Sequence, residues 1–122
     1  MKLSDLLKYK DIVIQCHDNP DADALASGYA VHTYLKEQGI TARFVYGGRG
    51  AVRKSNLVLM IKELDIPVEY VEELDSPELL LTIDCQYGEG NVTRFEGEKI
   101  AVLDHHRISG MLPALSEVRK SL

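Results

Sequence analysis

The sequence has few of the features that mark membrane, secreted or disordered proteins. Its 122 residues include two cysteines and four prolines, and no apolar run approaches the roughly 20 residues that cross a bilayer. Residues 1–11 contain no apolar stretch followed by a small-residue cleavage site, so a secretory signal is not expected. Cys16 and Cys85 do not form a Cys-x-x-Cys pair, and we expect two reduced thiols. These absences favour a cytoplasmic protein without a membrane segment.

The chain also lacks an excess of positive charge. Lys and Arg number 14 against 19 Asp and Glu, so the net charge is −5. Tracking along nucleic acid requires many uncompensated basic side chains, which makes long nucleic acid an unsuitable partner. Two bound divalent cations would offset most of this charge. A small phosphorylated substrate or a short oligonucleotide therefore remains compatible with the composition.

The hydrophobic pattern predicts one small α/β domain. With 45% hydrophobic and 27% charged residues, the chain resembles an ordinary globular protein. Continuous apolar runs are typical of parallel strands that are covered on both faces. The predicted strands are 12–16, 41–46, 68–71, 79–83 and 100–103, and the predicted helices are 23–38, one around 57–64 ended by 65–67, and one from Pro113. We expect a doubly wound, mostly parallel sheet with helices on both faces, incomplete at its C-terminal end.

Acidic and histidine residues follow three of the predicted strands. They are His17, Asp21 and Asp23 after the first, Asp84 after the fourth, and Asp104, His105 and His106 after the fifth. Ligands of parallel sheets bind at the carboxyl ends of the strands, and carboxylates gathered there repel one another unless a cation lies between them. Oxygen and imidazole ligands without thiolate favour Mn²⁺ or Mg²⁺, with Zn²⁺, Fe²⁺ or Co²⁺ as alternatives.

Each of these pieces also has a simpler interpretation. Asp21 or Asp23 could be no more than a cap of the helix that follows. Asp84 could open a loop, as aspartate often does, and His105 and His106 could be a solvated surface pair. The coincidence of all of them at one edge of the sheet favours the metal hypothesis.

Three segments carry a resemblance to a known family. HDNPDADALAS (17–27) resembles the first motif of the DHH phosphoesterase superfamily, LLLTIDC (79–85) resembles the second, and the triplet at 104–106 is the motif that names the family. The similarity covers residues 12–109 and extends to exopolyphosphatase-related proteins and to oligoribonucleases that dephosphorylate adenosine bisphosphate. It implies a Rossmann-like N-terminal domain and a hydrolase with two divalent cations, Mn²⁺ first and Mg²⁺ or Co²⁺ as alternatives.

The resemblance also implies a role for each motif residue. The implied metal ligands are His17 and Asp21 on the first ion, Asp23 and His105 on the second, and Asp84 between the two. The implied catalytic residues besides Asp84 are His106, which would face the substrate phosphate, and Asp104, which would orient a neighbouring histidine. The nucleophile would be a water activated by two metals, with no covalent intermediate on a side chain.

The chain departs from the family pattern after the paired histidines. The family has a further metal-binding aspartate there and then a separate substrate-binding domain, whereas the 16 residues that follow His106 contain no aspartate. We therefore expect residues 1–122 to be a single shortened DHH domain, from a longer phosphoesterase or a short paralogue. The alternative is a weak or inactive module that binds a metal or a nucleotide, and a third hypothesis is a purely structural domain.

Weaker signals concern the substrate and the assembly. Asn19 either holds the turn that orients His17 or contacts the substrate. The loop Gly47-Gly48-Arg49-Gly50 follows the second predicted strand, so Arg49 and Arg53 are candidate contacts to a substrate phosphate. A solvated loop explains the same residues. An unfinished sheet would leave an exposed strand edge that a second subunit could cover, which is the basis for a homodimer hypothesis.

Overall fold

The structure is a computed structural model that describes residues 3–83 and 92–103. Its elements are a 3-10 helix Leu3–Lys8, β1 Ile12–Gln15, α1 Ala22–Glu37, β2 Arg43–Tyr46, α2 Ser55–Leu64, β3 Val68–Tyr70, β4 Leu79–Ile83 and β5 Lys99–Leu103. Each predicted strand is present, and its observed ends lie within two residues of the predicted ones. Both helices predicted between residues 23 and 64 are present as well. Cys85 and the helix predicted from Pro113 lie outside the described residues.

All five strands are parallel and follow the order β3-β2-β1-β4-β5. The chain moves outward from β1 to β2 and β3, then returns to the other side of β1 with β4 and β5. The strand order therefore reverses at β1, whose Gln15 pairs with Thr82 of β4. Ligands of such sheets bind beyond the carboxyl ends of the strands at this reversal. The predicted parallel α/β architecture is confirmed.

The two faces of the sheet are covered by different connections. Parallel crossovers are right-handed, so connections that run in opposite directions along a sheet lie on opposite faces. Within the described residues, both α-helices pack into one large cluster, represented by Leu35 of α1 and Leu57 of α2. The other face buries Val13, Val45 and Leu80 beneath Phe95, with Val71 and Leu74 packed at its side. In the described part of the chain, non-helical segments thus cover this second face, and the helices predicted for it are not among the described residues.

Close packing holds α1 against β2. Its buried residues, Ala24, Leu25, Gly28, Val31 and Leu35, recur at helical spacing. Gly28 meets the ring of Phe44 so closely that a Cβ atom built on it would lie 2.0 Å from Phe44 Cζ. Gly39, with φ +87°, follows the helix and lets the chain turn toward β2.

The amino ends of β1 and β4 are tied together by hydrogen bonds. Glu78 Oε1 accepts from the backbone N–H groups of Lys10 at 2.9 Å and Asp11 at 3.4 Å, and the Leu79 N–H donates to the Asp11 carbonyl at 3.0 Å. These hydrogen bonds to the charged form lower the pKa of the Glu78 carboxyl below its usual value. The contact helps set the register of the two strands that flank the order reversal.

None of the helices within residues 3–83 and 92–103 has the length and apolar character needed to cross a membrane.

Candidate functional site

The turn after β1 orients the imidazole of His17. Nδ1 of His17 lies 2.8 Å from the carbonyl oxygen of Asp18. A carbonyl oxygen only accepts hydrogen bonds, so Nδ1 carries the proton of this contact. In the neutral ring the other nitrogen, Nε2, then has a free lone pair. Backbone hydrogen bonding to one ring nitrogen is how proteins orient a histidine whose other nitrogen binds a metal.

The free nitrogen of His17 faces a carboxylate. Nε2 lies 3.7 Å from Asp21 Oδ1, with the His17 side chain 17% exposed and that of Asp21 68% exposed. Two electron-pair donors at this separation repel unless a cation or a proton lies between them. Nitrogen and oxygen ligands each lie about 2.0–2.2 Å from an ion such as Zn²⁺, so two ligands of one ion lie within about 4 Å of each other. The pair fits two ligands of a single divalent cation.

Asp21 is also the N-cap of α1. Its backbone is extended, with φ −97° and ψ −177°, and its Oδ1 accepts from the Ala24 N–H at 2.9 Å. The helix accordingly begins at Ala22, one residue before the predicted start. Capping and metal binding are compatible because a carboxylate has about four lone-pair sites. The cap holds the carboxylate in place beside His17.

Asn19 allows the turn between these two residues. Its φ is 53°, in the left-handed region that asparagine tolerates better than most residues. The left-handed residue redirects the chain so that His17 and Asp21 come together on one side. Asn19 thus has a backbone role, and its exposed side chain also lines a groove described below.

Three of the predicted metal ligands, His17, Asp21 and Asp23, lie in the described part of the chain. Within 3–83 and 92–103, no group of three or more His, Cys, Asp or Glu side chains is close enough to hold a metal ion. The structure brings His17 and Asp21 together, while Asp23 lies exposed in the first turn of α1. The other predicted site residues, Asp84, Asp104, His105 and His106, lie outside the described residues, and their roles remain predictions.

The second described histidine, His32, has different surroundings. It lies in α1 and bonds to the backbone of Ala42, just before β2. Partial burial and the positive charge of Lys36 lower the pKa of His32, although the bond to Ala42 opposes this. Through this bond His32 links α1 to the segment that precedes β2.

Asp18 is a central residue of this edge whose role no sequence pattern indicated. Its Oδ1 accepts from the Thr93 N–H at 2.9 Å and its Oδ2 from the Thr93 hydroxyl at 2.8 Å. The carbonyl of Thr93 in turn accepts from Nε2 of the buried Gln15 at 2.7 Å. The segment before β5 is thereby fastened to the turn after β1. The sequence signal was faint because 75 residues separate Asp18 from Thr93.

Two glycines of the loop after β2 make room for the hydrogen bonds between Asp18 and Thr93. A Cβ atom on Gly48 would lie 2.9 Å from Asp18 Cβ, and one on Gly47 would lie 2.7 Å from Thr93 Cβ. Gly48 also has φ +106°, a conformation that side chains rarely allow. The turn after β1, the loop after β2 and the segment before β5 therefore meet around Asp18.

Removing the Asp18 carboxylate should loosen this junction. We expect Asp18→Ala to lower the free energy of unfolding by about 2–3 kcal/mol, because a charged acceptor of two hydrogen bonds is lost. Thr93→Val removes one of the two bonds and should lower the free energy of unfolding by about 1 kcal/mol in the wild-type background. In a chain that already carries Asp18→Ala, the same change should cost much less. Urea unfolding of both single variants and the double variant measures this coupling. Strictly additive losses would contradict it.

A basic groove adjoins the turn. It has a volume of about 680 Å³ and is lined by Asp18, Asn19, Gly48, Arg49, Gly50, Ala51, Arg53 and Lys54. The three predicted substrate contacts, Asn19, Arg49 and Arg53, therefore lie along one surface. Lys54 is the residue that precedes α2. The groove thus combines three cationic side chains with a glycine-containing loop.

Two tyrosines anchor the loop that forms this groove. Tyr46 Oη accepts from the Val52 N–H at 2.9 Å, and Tyr70 Oη donates to the Gly48 carbonyl at 2.8 Å. The two rings also contact each other, with centroids 5.7 Å apart. The backbone of the loop after β2 is therefore attached to two strands of the sheet.

The fold and the site together define a class of protein. The chain is a doubly wound parallel α/β domain with a histidine–carboxylate pair and a basic groove beside the reversal of strand order. The model of the DHH family, N-terminal domain, matches residues 11–119, and the chain belongs to the DHH family. This family is one of phosphoesterases, and the matched range includes all three motifs of the sequence analysis. No curated protein matches the chain.

Proposed function

We propose that the chain hydrolyses phosphoester or phosphoanhydride bonds with the help of two divalent cations. Mn²⁺ is the preferred ion. The observation that carries this proposal is the approach of His17 Nε2 to Asp21 Oδ1 at 3.7 Å. With the proton on Nδ1, the neutral His17 ring has a lone pair on Nε2 that faces the Asp21 carboxylate. A cation between the two groups stabilises this arrangement. Membership of a phosphoesterase family supports the same chemistry.

The ligands of the proposed centre come from the three motifs. The first ion would be held by His17 and Asp21, and the second by Asp23 and His105, with Asp84 between the two. Asp84 follows Ile83 of β4, the strand that pairs with β1, which supports its proximity to His17. When bound, such ions polarise phosphoryl oxygens and lower the pKa of a coordinated water.

The remaining roles belong to protein side chains around the substrate. We assign His106 to the phosphoryl oxygens, where an imidazole N–H donates a hydrogen bond to developing negative charge. Asp104 would orient a neighbouring histidine through its other ring nitrogen. Arg49 and Arg53, with Asn19, would bind phosphate oxygens from the groove. Suitable substrates are short oligonucleotides, bisphosphorylated nucleosides and polyphosphate.

Metal-dependent turnover tests this proposal. The chain is stripped of metal with a chelator, and mononucleotide release from a dinucleotide is measured with and without added Mn²⁺. We expect release that requires Mn²⁺ and falls at least about 100-fold in the double variant Asp84→Asn, His105→Ala. Glu63→Gln, at an exposed position of α2, is the matched control and should keep full activity.

Two outcomes would contradict the proposal. Activity that persists unchanged in the Asp84→Asn, His105→Ala variant would show that these residues do not form the centre. Saturable nucleotide binding without turnover at any Mn²⁺ concentration would instead indicate a module that binds its ligand without hydrolysing it.

A further inference from the structure

The basic groove is separate from the histidine–carboxylate pair but adjoins it. Neither His17 nor Asp21 lines the groove, whereas the two residues next to His17 in the turn, Asp18 and Asn19, do. The same turn therefore borders both places. An anion bound in the groove would therefore occupy a position next to His17 and Asp21 and separate from any group bound by these two residues.

The cations of the groove are not neutralised by the described part of the protein. The ion pairs His17–Asp21 and Arg43–Glu69 do not include Arg49, Arg53 or Lys54. Among the described residues that line the groove, the one carboxylate is Asp18, and both of its oxygens accept hydrogen bonds from Thr93. The groove therefore offers positive charge to an external anion.

The dimensions of the groove suit more than a lone ion. Its volume of about 680 Å³ lies within the range of roughly 300–1,000 Å³ that is typical of sites for small organic ligands. The backbone around it is anchored by Tyr46 and Tyr70, so the site is largely formed before a ligand arrives. A preformed site with arginine side chains is suited to the oxygens of a phosphate group.

We infer that the groove binds a second phosphate of the substrate, one that is not hydrolysed, through Arg49, Arg53 and Lys54. This inference rests on the proposed function, because it assumes that the chain hydrolyses a phosphorylated substrate. The groove would select molecules with two phosphates over molecules with one. It would also bind its phosphate without any metal, because its charge comes from protein side chains.

Calorimetry in the presence of a chelator tests this inference without any catalytic step. The probes are adenosine 3′,5′-bisphosphate and adenosine 5′-monophosphate, and the variant is Arg49→Gln, Arg53→Gln. We expect the bisphosphate to bind the wild-type chain at least about tenfold more tightly than the monophosphate, because charge-assisted bonds to phosphate are strong. The double variant should lose most of this preference.

The control variant is Lys62→Gln, which removes an exposed cation of α2 outside the groove and should keep the preference. All three chains should melt at similar temperatures, because the substituted side chains are exposed. Equal affinity of the bisphosphate for the wild type and for Arg49→Gln, Arg53→Gln would overturn the inference, as would the absence of binding under chelator. Mn²⁺-dependent turnover by the wild-type chain is measured separately and depends on the metal ligands, so failure of the groove and failure of the metal centre are distinguishable.

Discussion

Replacing Asp21 with asparagine is expected to weaken Mn²⁺ binding by at least about 100-fold, while the stability of the metal-free chain hardly changes. Changes to residues that merely orient a metal ligand already cost about 10–100-fold in affinity, so loss of a direct ligand should cost no less. Asparagine is as good an N-cap as aspartate, and it can accept the same bond from the Ala24 N–H. Calorimetric titration of the metal-free chain with Mn²⁺ measures the effect.

Asp21→Ala separates the two roles of this residue. Alanine removes both the ligand and the cap, so this variant should lose Mn²⁺ affinity and about 1 kcal/mol of stability as well. Glu37→Gln, in the last turn of the same helix, is the matched control for removal of an exposed carboxylate. Wild-type Mn²⁺ affinity in Asp21→Asn would show that Asp21 is a helix cap and nothing more.

Replacing Gly28 with alanine is expected to be among the most destabilising single-methyl changes in this chain. The added Cβ would lie 2.0 Å from Phe44 Cζ, which forces the buried ring or the helix to move. Overpacking of this kind costs about 1–3 kcal/mol, and we expect a value near the upper end. Urea unfolding provides the measurement.

A smaller residue at position 44 should relieve this clash. Phe44→Leu alone leaves unfilled space and should cost about 1–2 kcal/mol. Combined with Gly28→Ala, it should cost at least about 1 kcal/mol less than the sum of the single changes. Gly50→Ala is the matched control, because the nearest atom to its added Cβ is Arg53 Nη2 at 4.0 Å. Additive losses at positions 28 and 44 would contradict the packing that we describe.

The contact between Gly28 and Phe44 also bears on the site. It sets the distance between α1 and β2. Helix α1 begins next to Asp21, and β2 leads into the loop that forms the basic groove. A shift of α1 would therefore change the position of Asp21 relative to the loop. We expect Gly28→Ala to weaken Mn²⁺ binding as well as stability.

Much of the fold and part of the site could be predicted from the sequence because local patterns carry them. Runs of apolar residues such as Leu79–Ile83 indicate buried strands, and their continuity indicates parallel pairing. The positions of His17 and Asp21 directly after such a run placed them at the carboxyl edge of the sheet. The choice of Asp21 over Asp23 as the cap depended on the conformation of the turn, which the pattern left open.

What the sequence by itself determined is the class of the fold, the family motifs and the edge of the sheet at which His17 and Asp21 lie. The tertiary structure decided the strand order, the bond between Asp18 and Thr93 and the meeting of Gly28 with Phe44. It also brought Arg49 and Arg53 to a groove beside Asn19. The physical reason is the separation of the contacting residues along the sequence. Strands, caps and turns depend on neighbouring residues, whereas these contacts join segments far apart in the chain. They form because the completed sheet places those segments side by side.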